Sequence, residues 1–266
     1  MGLIHRFGVV LRTGLSGLAL ALVLAAGCSG PAPSTERIAP RGPSGVQADA
    51  FPAPSRPVAA IVTDTWSDEE TRDRAGEAER VMGLLDVRPG MHVADIGAGS
   101  GYYVVRLAPR VGRTGFVIAQ DIVPEYLERL RHRLQREQVT NVSYVLGEPH
   151  DPRLPPNSVD LALLVHMYHE VEQPYGLLYN LYPALLPGAR VAVVDLDRPT
   201  QQHGTPPALL RCEFAAVGYH EVAFHELGEG SGYLAVFAPP ASRAERIEPA
   251  ATRSCRTGEP PQARPE

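Results

Sequence analysis

The sequence contains no lysine, and all 25 of its basic residues are arginines. That excludes every chemistry that needs a lysine amine, from a Schiff base to the lysine of a Walker loop. Cysteine is scarce too: Cys28, Cys212 and Cys255 are too few for a disulfide framework. Nor is there a cationic excess. The net charge of −5 argues against a nucleic-acid surface, because binding phosphates takes a basic field. Hydrophobic residues at 44% and charged residues at 21% of 266 leave room for an ordinary buried core. Proline, at 26, is too plentiful for one compact domain, so part of the chain reads as linker or tail.

Residues 1–27 carry Arg6 and Arg12, then an apolar run from Leu15 to Ala26, with no acidic residue. The run is shorter than the roughly 20 residues a membrane span needs, so it reads as an address rather than a fold element. It closes as Leu24-Ala25-Ala26-Gly27-Cys28, which resembles a bacterial lipoprotein lipobox, with Ala25 standing where a large aliphatic residue is usual. The resemblance implies a lipid on Cys28, a membrane attachment and a periplasmic location. A plain secretory signal or an uncleaved anchor is the alternative. Seven prolines between Pro31 and Pro57 make 28–57 a tether, and the Arg, Glu and Pro of 240–266 read as a disordered tail. One domain, 58–239, remains.

Within it, helices and strands alternate. The capping box Ser67-Asp68-Glu69-Glu70 opens a helix reaching Leu85, and strands are expected at 91–96, 116–121, 142–147, 159–165 and 190–196. Helices at 102–111, 124–138, 174–186 (containing Pro183) and 207–217 connect or follow them, and 220–227 and 233–238 form a closing hairpin. The pattern predicts a doubly wound, Rossmann-like α/β sheet of seven strands with an antiparallel C-terminal hairpin.

The first strand runs into Asp95-Ile96-Gly97-Ala98-Gly99-Ser100-Gly101, and Asp121 ends the second strand 20 residues on. Glycines there let the backbone approach a ligand, and an acidic side chain at the second strand can accept both ribose hydroxyls. Tyr102 stands where a dinucleotide fingerprint needs a small residue, which disfavours a nicotinamide enzyme. With Leu146-Gly147-Glu148, Leu154-Pro155-Pro156 to Asp160, and Leu185-Leu186-Pro187-Gly188, these blocks resemble the class I S-adenosylmethionine-dependent methyltransferases, in particular those acting on quinones and other small molecules. The resemblance covers about residues 77–197. It implies S-adenosylmethionine as cofactor, with Asp95, Gly97, Ala98, Gly99, Gly101 and Tyr102 around its methionine part. Asp121 and Ile122 would lie at the ribose, and Glu148 and Pro149 at the adenine. Pro149 departs from the pattern by lacking an N–H; Asp151 could instead supply an acceptor.

Residues after the fourth strand usually face substrate in this fold, and here they are His166-Met167-Tyr168-His169-Glu170. His169 is the candidate base, with His166 and Tyr168 as alternatives and Glu170 expected to point elsewhere; helix capping is the competing role for His169-Glu170. Two histidines three apart with no third ligand in view give no metal site. The expected function is methyl transfer to a small-molecule acceptor, at oxygen or carbon. A lipid-anchored module that binds a nucleoside without turnover is the alternative, since an exported domain is cut off from cytoplasmic cofactor.

Overall fold

The computed structural model describes residues 41–61, 69–228 and 230–256. The signal-like segment, Cys28, the first part of the tether, Ser67 and Asp68 of the capping box, and the last ten residues lie outside the described residues. No described helix is long and apolar enough to cross a membrane.

Seven strands form one sheet: β1 His92–Ile96, β2 Phe116–Asp121, β3 Val142–Leu146, β4 Val159–Val165, β5 Leu185–Asp195, β6 His220–Gly228 and β7 Gly232–Ala238. Their order is β3-β2-β1-β4-β5-β7-β6. The first five are parallel, and β7 and β6 add antiparallel at the β5 edge. Both faces are covered, which is why the central strands read as near-continuous apolar runs such as Leu161–Val165. Strand order reverses between β1 and β4, and the crevice beyond their carboxyl ends is where open α/β sheets bind ligands.

The helices are α1 Glu69–Arg74, α2 Glu77–Leu84, α3 Val104–Val111, α4 Pro124–Arg136, α5 Pro174–Leu181 and α6 Pro207–Ala215. The single helix expected up to Leu85 is two, because Gly76 adopts φ 65° and turns the chain between them. Pro183 falls not in α5 but in the single 3-10 turn Tyr182–Ala184 that follows it, having no N–H to continue the α-helical ladder.

The expected limits of the domain are too narrow. Residues 41–61 form a strap along the surface: Gly45 N–H donates to the Asp151 carboxylate (2.7 Å), Val46 and Asn180 exchange two bonds, and Phe51 packs edge-on against Tyr179. Arg56 is fully buried, paired with Glu213 of α6 at 2.8 Å, and also donates to the carbonyls of Tyr168 and Val171. Residues 241–256 dock as well. Cys255 is 2% exposed and disulfide-bonded to Cys212, Ser254 bonds to Ala53, and Ser55 pairs with Arg256. Proline-rich, apolar-poor composition hides such docking, because a few large anchors hold these segments rather than a periodic face.

Candidate active site

The loop after β1 is held open by the end of β2. Ala98 N–H donates to the Gln120 carbonyl (2.9 Å), Gly97 N–H to the Gln120 side chain (3.3 Å), and Gly99 N–H to an Asp121 carboxylate oxygen (2.9 Å). The other Asp121 oxygen takes the Val123 N–H at 2.9 Å. Gly101 has φ +87°, and a Cβ there would lie 2.2 Å from Leu130. A larger residue would lift the loop from α4 and spoil the cradle.

Two cavities flank this loop and share Gly97, Met167 and Glu170, so they form one cleft with a waist. The first is polar. It is walled by Arg72, Asp95, Gly97 to Ser100, Tyr102, Tyr103 and His166. Arg72 lies 3.8 Å over the Tyr102 ring and grips Glu77 with two nitrogens (2.6 and 3.2 Å). Glu77 also accepts from the Tyr103 hydroxyl (3.0 Å) and lies 3.5 Å from His166 Nε2. Burial alone would raise its pKa, but His166 and Arg72 outweigh burial and hold it at about 2. Asp95 is pushed up to about 7, chiefly by burial and further by Asp121, against the pull of Arg72.

The second cavity is more apolar, walled by Val58 to Ile61 of the strap, Ile96, Ile122, Pro149, Val171 and Leu177, with Gln120, Asp121, Glu148, Glu170 and Glu172 as its polar groups. Burial raises the Asp121 pKa against its three backbone bonds. Glu148 is half-exposed and faces Arg153 (3.3 Å) and Arg41 (3.4 Å).

The cleft therefore collects the expected cofactor residues: Asp95, Gly97, Ala98, Gly99 and Tyr102 in the first cavity, and Asp121, Ile122, Glu148 and Pro149 in the second. Gly101 supports the loop from behind, bonding Ala98 at 2.8 Å. Asp151 lines neither cavity; its carboxylate accepts from Gly45 and Arg153 N–H and fixes the strap.

The expected catalytic group is scattered. His166, at φ 51°, lines the first cavity. Tyr168 is a core residue with no exposed surface, its ring 5.7 Å from Phe214. His169 is equally buried and lies behind the cleft, with Nδ1 at 3.0 and 3.1 Å from the two Asp195 oxygens. Glu170, expected to point elsewhere, lines both cavities at the waist. Three contributors went unnoticed in the sequence: Arg72, Gln120 and the strap. Of these, only Gln120 carried a signal, through its place beside Asp121.

This sheet order, with a glycine loop after β1 and an acidic residue closing β2, defines the class I S-adenosylmethionine-dependent methyltransferase fold. A methyltransferase from Aquifex aeolicus shares it at TM-score 0.56 and 22% identity, over 65% of this chain and 97% of that one. Residues 94–193 match the methyltransferase domain family. In sequence, the chain is 33% identical to a 2-phytyl-1,4-naphtoquinone methyltransferase of Nostoc over 47% of this chain and 55% of that protein. It is 31% identical to a ubiquinone/menaquinone biosynthesis C-methyltransferase of Hydrogenovibrio crunogenus (44% and 47% covered), and 30% identical to an arsenite methyltransferase of Halobacterium salinarum (41% and 28% covered). The chain spans about half or less of the length of these relatives.

Proposed function

We propose that this protein transfers a methyl group from S-adenosylmethionine to a small-molecule acceptor. The observation that carries the reading is the two-chambered cleft at the β1/β4 switch point. One chamber offers Arg72 and a buried carboxyl, Asp95; the other offers Asp121 and apolar walls. These donors fit a zwitterionic amino acid joined to a nucleoside. Asp95 and Arg72 would hold the ammonium and carboxylate, Asp121 the ribose diol, and Ile122 and Pro149 the adenine faces. Bound S-adenosylmethionine supplies an electrophilic methyl on sulfur. The protein's part is to align the acceptor and exclude water. The strap supports both tasks by walling the adenine chamber. His166 is the wall group suited to take a proton from an acceptor hydroxyl. Quinone and arsenite enzymes among the relatives support a small acceptor without choosing one.

We further propose that the domain is exported and attached to a membrane by lipid on Cys28. The Cys212–Cys255 disulfide supports an oxidising compartment, independently of the lipobox. Cys28→Ser should then take up no labelled palmitate and leave the membrane fraction, since stable anchoring takes more than one acyl chain; unaltered attachment would indicate an uncleaved anchor.

Calorimetry with S-adenosylmethionine, S-adenosylhomocysteine and NAD tests the cofactor, with binding of the first two and not the third expected. A subsequent screen of phenols, quinols and thiols with labelled methyl separates an enzyme from a binding module.

A further inference from the structure

We infer that His169, Glu170 and His203 form a binding site for a divalent transition-metal ion beside the waist of the cleft. Among the described residues, one ligand atom from each of the three lies within 4.8 Å of the others. Tetrahedral ligands at metal-site bond lengths stand about 3.4 Å apart, so a small side-chain rotation would close the set. Two imidazoles and a carboxylate suit zinc, iron(II) or cobalt rather than calcium or magnesium.

Three further features fit an ion-binding role. His169 Nδ1 faces both oxygens of Asp195, so its Nε2 is the ligand atom, the carboxylate–histidine arrangement that orients metal-bound imidazoles. Asp195 is itself fixed by the Leu196 N–H (2.9 Å) and the Thr205 hydroxyl (2.7 Å). A second bond, Thr205 N–H to the Leu196 carbonyl (2.8 Å), closes the loop after β5 and carries His203 back beside His169, ring centres 5.4 Å apart. His203 sits at φ 57°, a conformation rare for a non-glycine residue and concentrated at functional sites. Glu170 links the cluster to the cleft, because it lines both cavities. If the methyl-transfer reading holds, an open coordination position there would take an acceptor oxygen; metal binding itself does not depend on that reading.

The test uses the full chain, stripped with chelator and titrated with zinc or cobalt(II). One ion per chain is expected, with a rise in melting temperature. His203→Asn keeps a residue that tolerates the left-handed conformation, and with Glu170→Gln should weaken zinc binding about 100-fold or more. Asp195→Asn should weaken it about 10- to 100-fold. His132→Ala, on the exposed face of α4, should change nothing. Cobalt-shifted proton resonances from two histidine rings in the unaltered protein decide the matter even if a variant fails to fold. Absence of stoichiometric binding, unweakened binding in folded His203→Asn, or fewer than two shifted rings overturns the site. S-adenosylhomocysteine binding in the same samples reports separately on the cofactor cleft.

Discussion

At the scale of single residues, Asp121 and Asp95 make the sharpest predictions. Asp121 joins the loop to β2 and lines the second cavity, proposed above to take the nucleoside. Asp121→Ala should weaken S-adenosylhomocysteine binding by at least about 30-fold, roughly 2 kcal/mol, and Asp121→Asn by less, because one acceptor remains. Equal affinity by calorimetry in the alanine variant would remove Asp121 from the site. Asp95 gives a pH dependence. Its folded-state pKa, raised to about 7, means that about half of the free protein holds a proton there in neutral solution. Its contribution to stability therefore falls as pH climbs from the ordinary carboxylate range towards 7. Ligand ammonium favours the ionised form, so affinity should rise with pH and level off above about 7, and Asp95→Asn should flatten the profile. Asp95 and Asp121 were legible in the sequence because the glycine loop fixes their spacing. Glu170 and His203 were not: their meeting depends on how the loop after β5 folds back, and the 32 intervening residues carry no sign of it.

At the scale of elements, the strands were legible almost to the residue, since a sheet covered on both faces needs unbroken apolar runs. β2 and β4 fall where expected. β5 begins five residues early, at Leu185, pairing beyond a register shift opposite Val159 and Leu161. Helix ends were less legible, because Gly76 breaks a periodic pattern that polar residues on either side would have allowed to continue. α6 has a role that periodicity could not announce. Its adjacent residues Cys212 and Glu213 hold the C-terminal segment and the strap respectively. The disulfide closes a loop of 43 residues, for which the chain-entropy argument gives up to about 4 kcal/mol. Cys212→Ser with Cys255→Ser should lower unfolding free energy by about 2–4 kcal/mol in urea and expose residues 240–256 to protease. A protein indifferent to dithiothreitol would contradict this.

At the scale of the whole molecule, composition did not announce that segments on either side of 58–239 pack against it. Arg56 is one charge in a proline-rich stretch, yet it is fully buried against Glu213. Removing one partner of such a pair costs about 3–5 kcal/mol, since the other is left charged without water. Loss of the C-terminal segment should act similarly on the strap. A chain ending at Pro239 lacks Cys255 and the Ser254 and Arg256 contacts, so it should melt lower and bind S-adenosylhomocysteine more weakly through the loosened 58–61 wall. Calorimetry and a thermal melt on that truncation measure both effects, and unchanged values would mean the strap holds without the tail.

The pairing of Ser55 with Arg256 also sets an order of events. Synthesis proceeds from the amino end, so the strap emerges before every group that holds it: Asp151, Asn180, Glu213 and Arg256 all follow. Contacts of such long sequence separation form late and slowly. A nascent chain therefore leaves the 58–61 wall undocked until Glu213 and residues 254–256 have followed it, and the second cavity is completed only then.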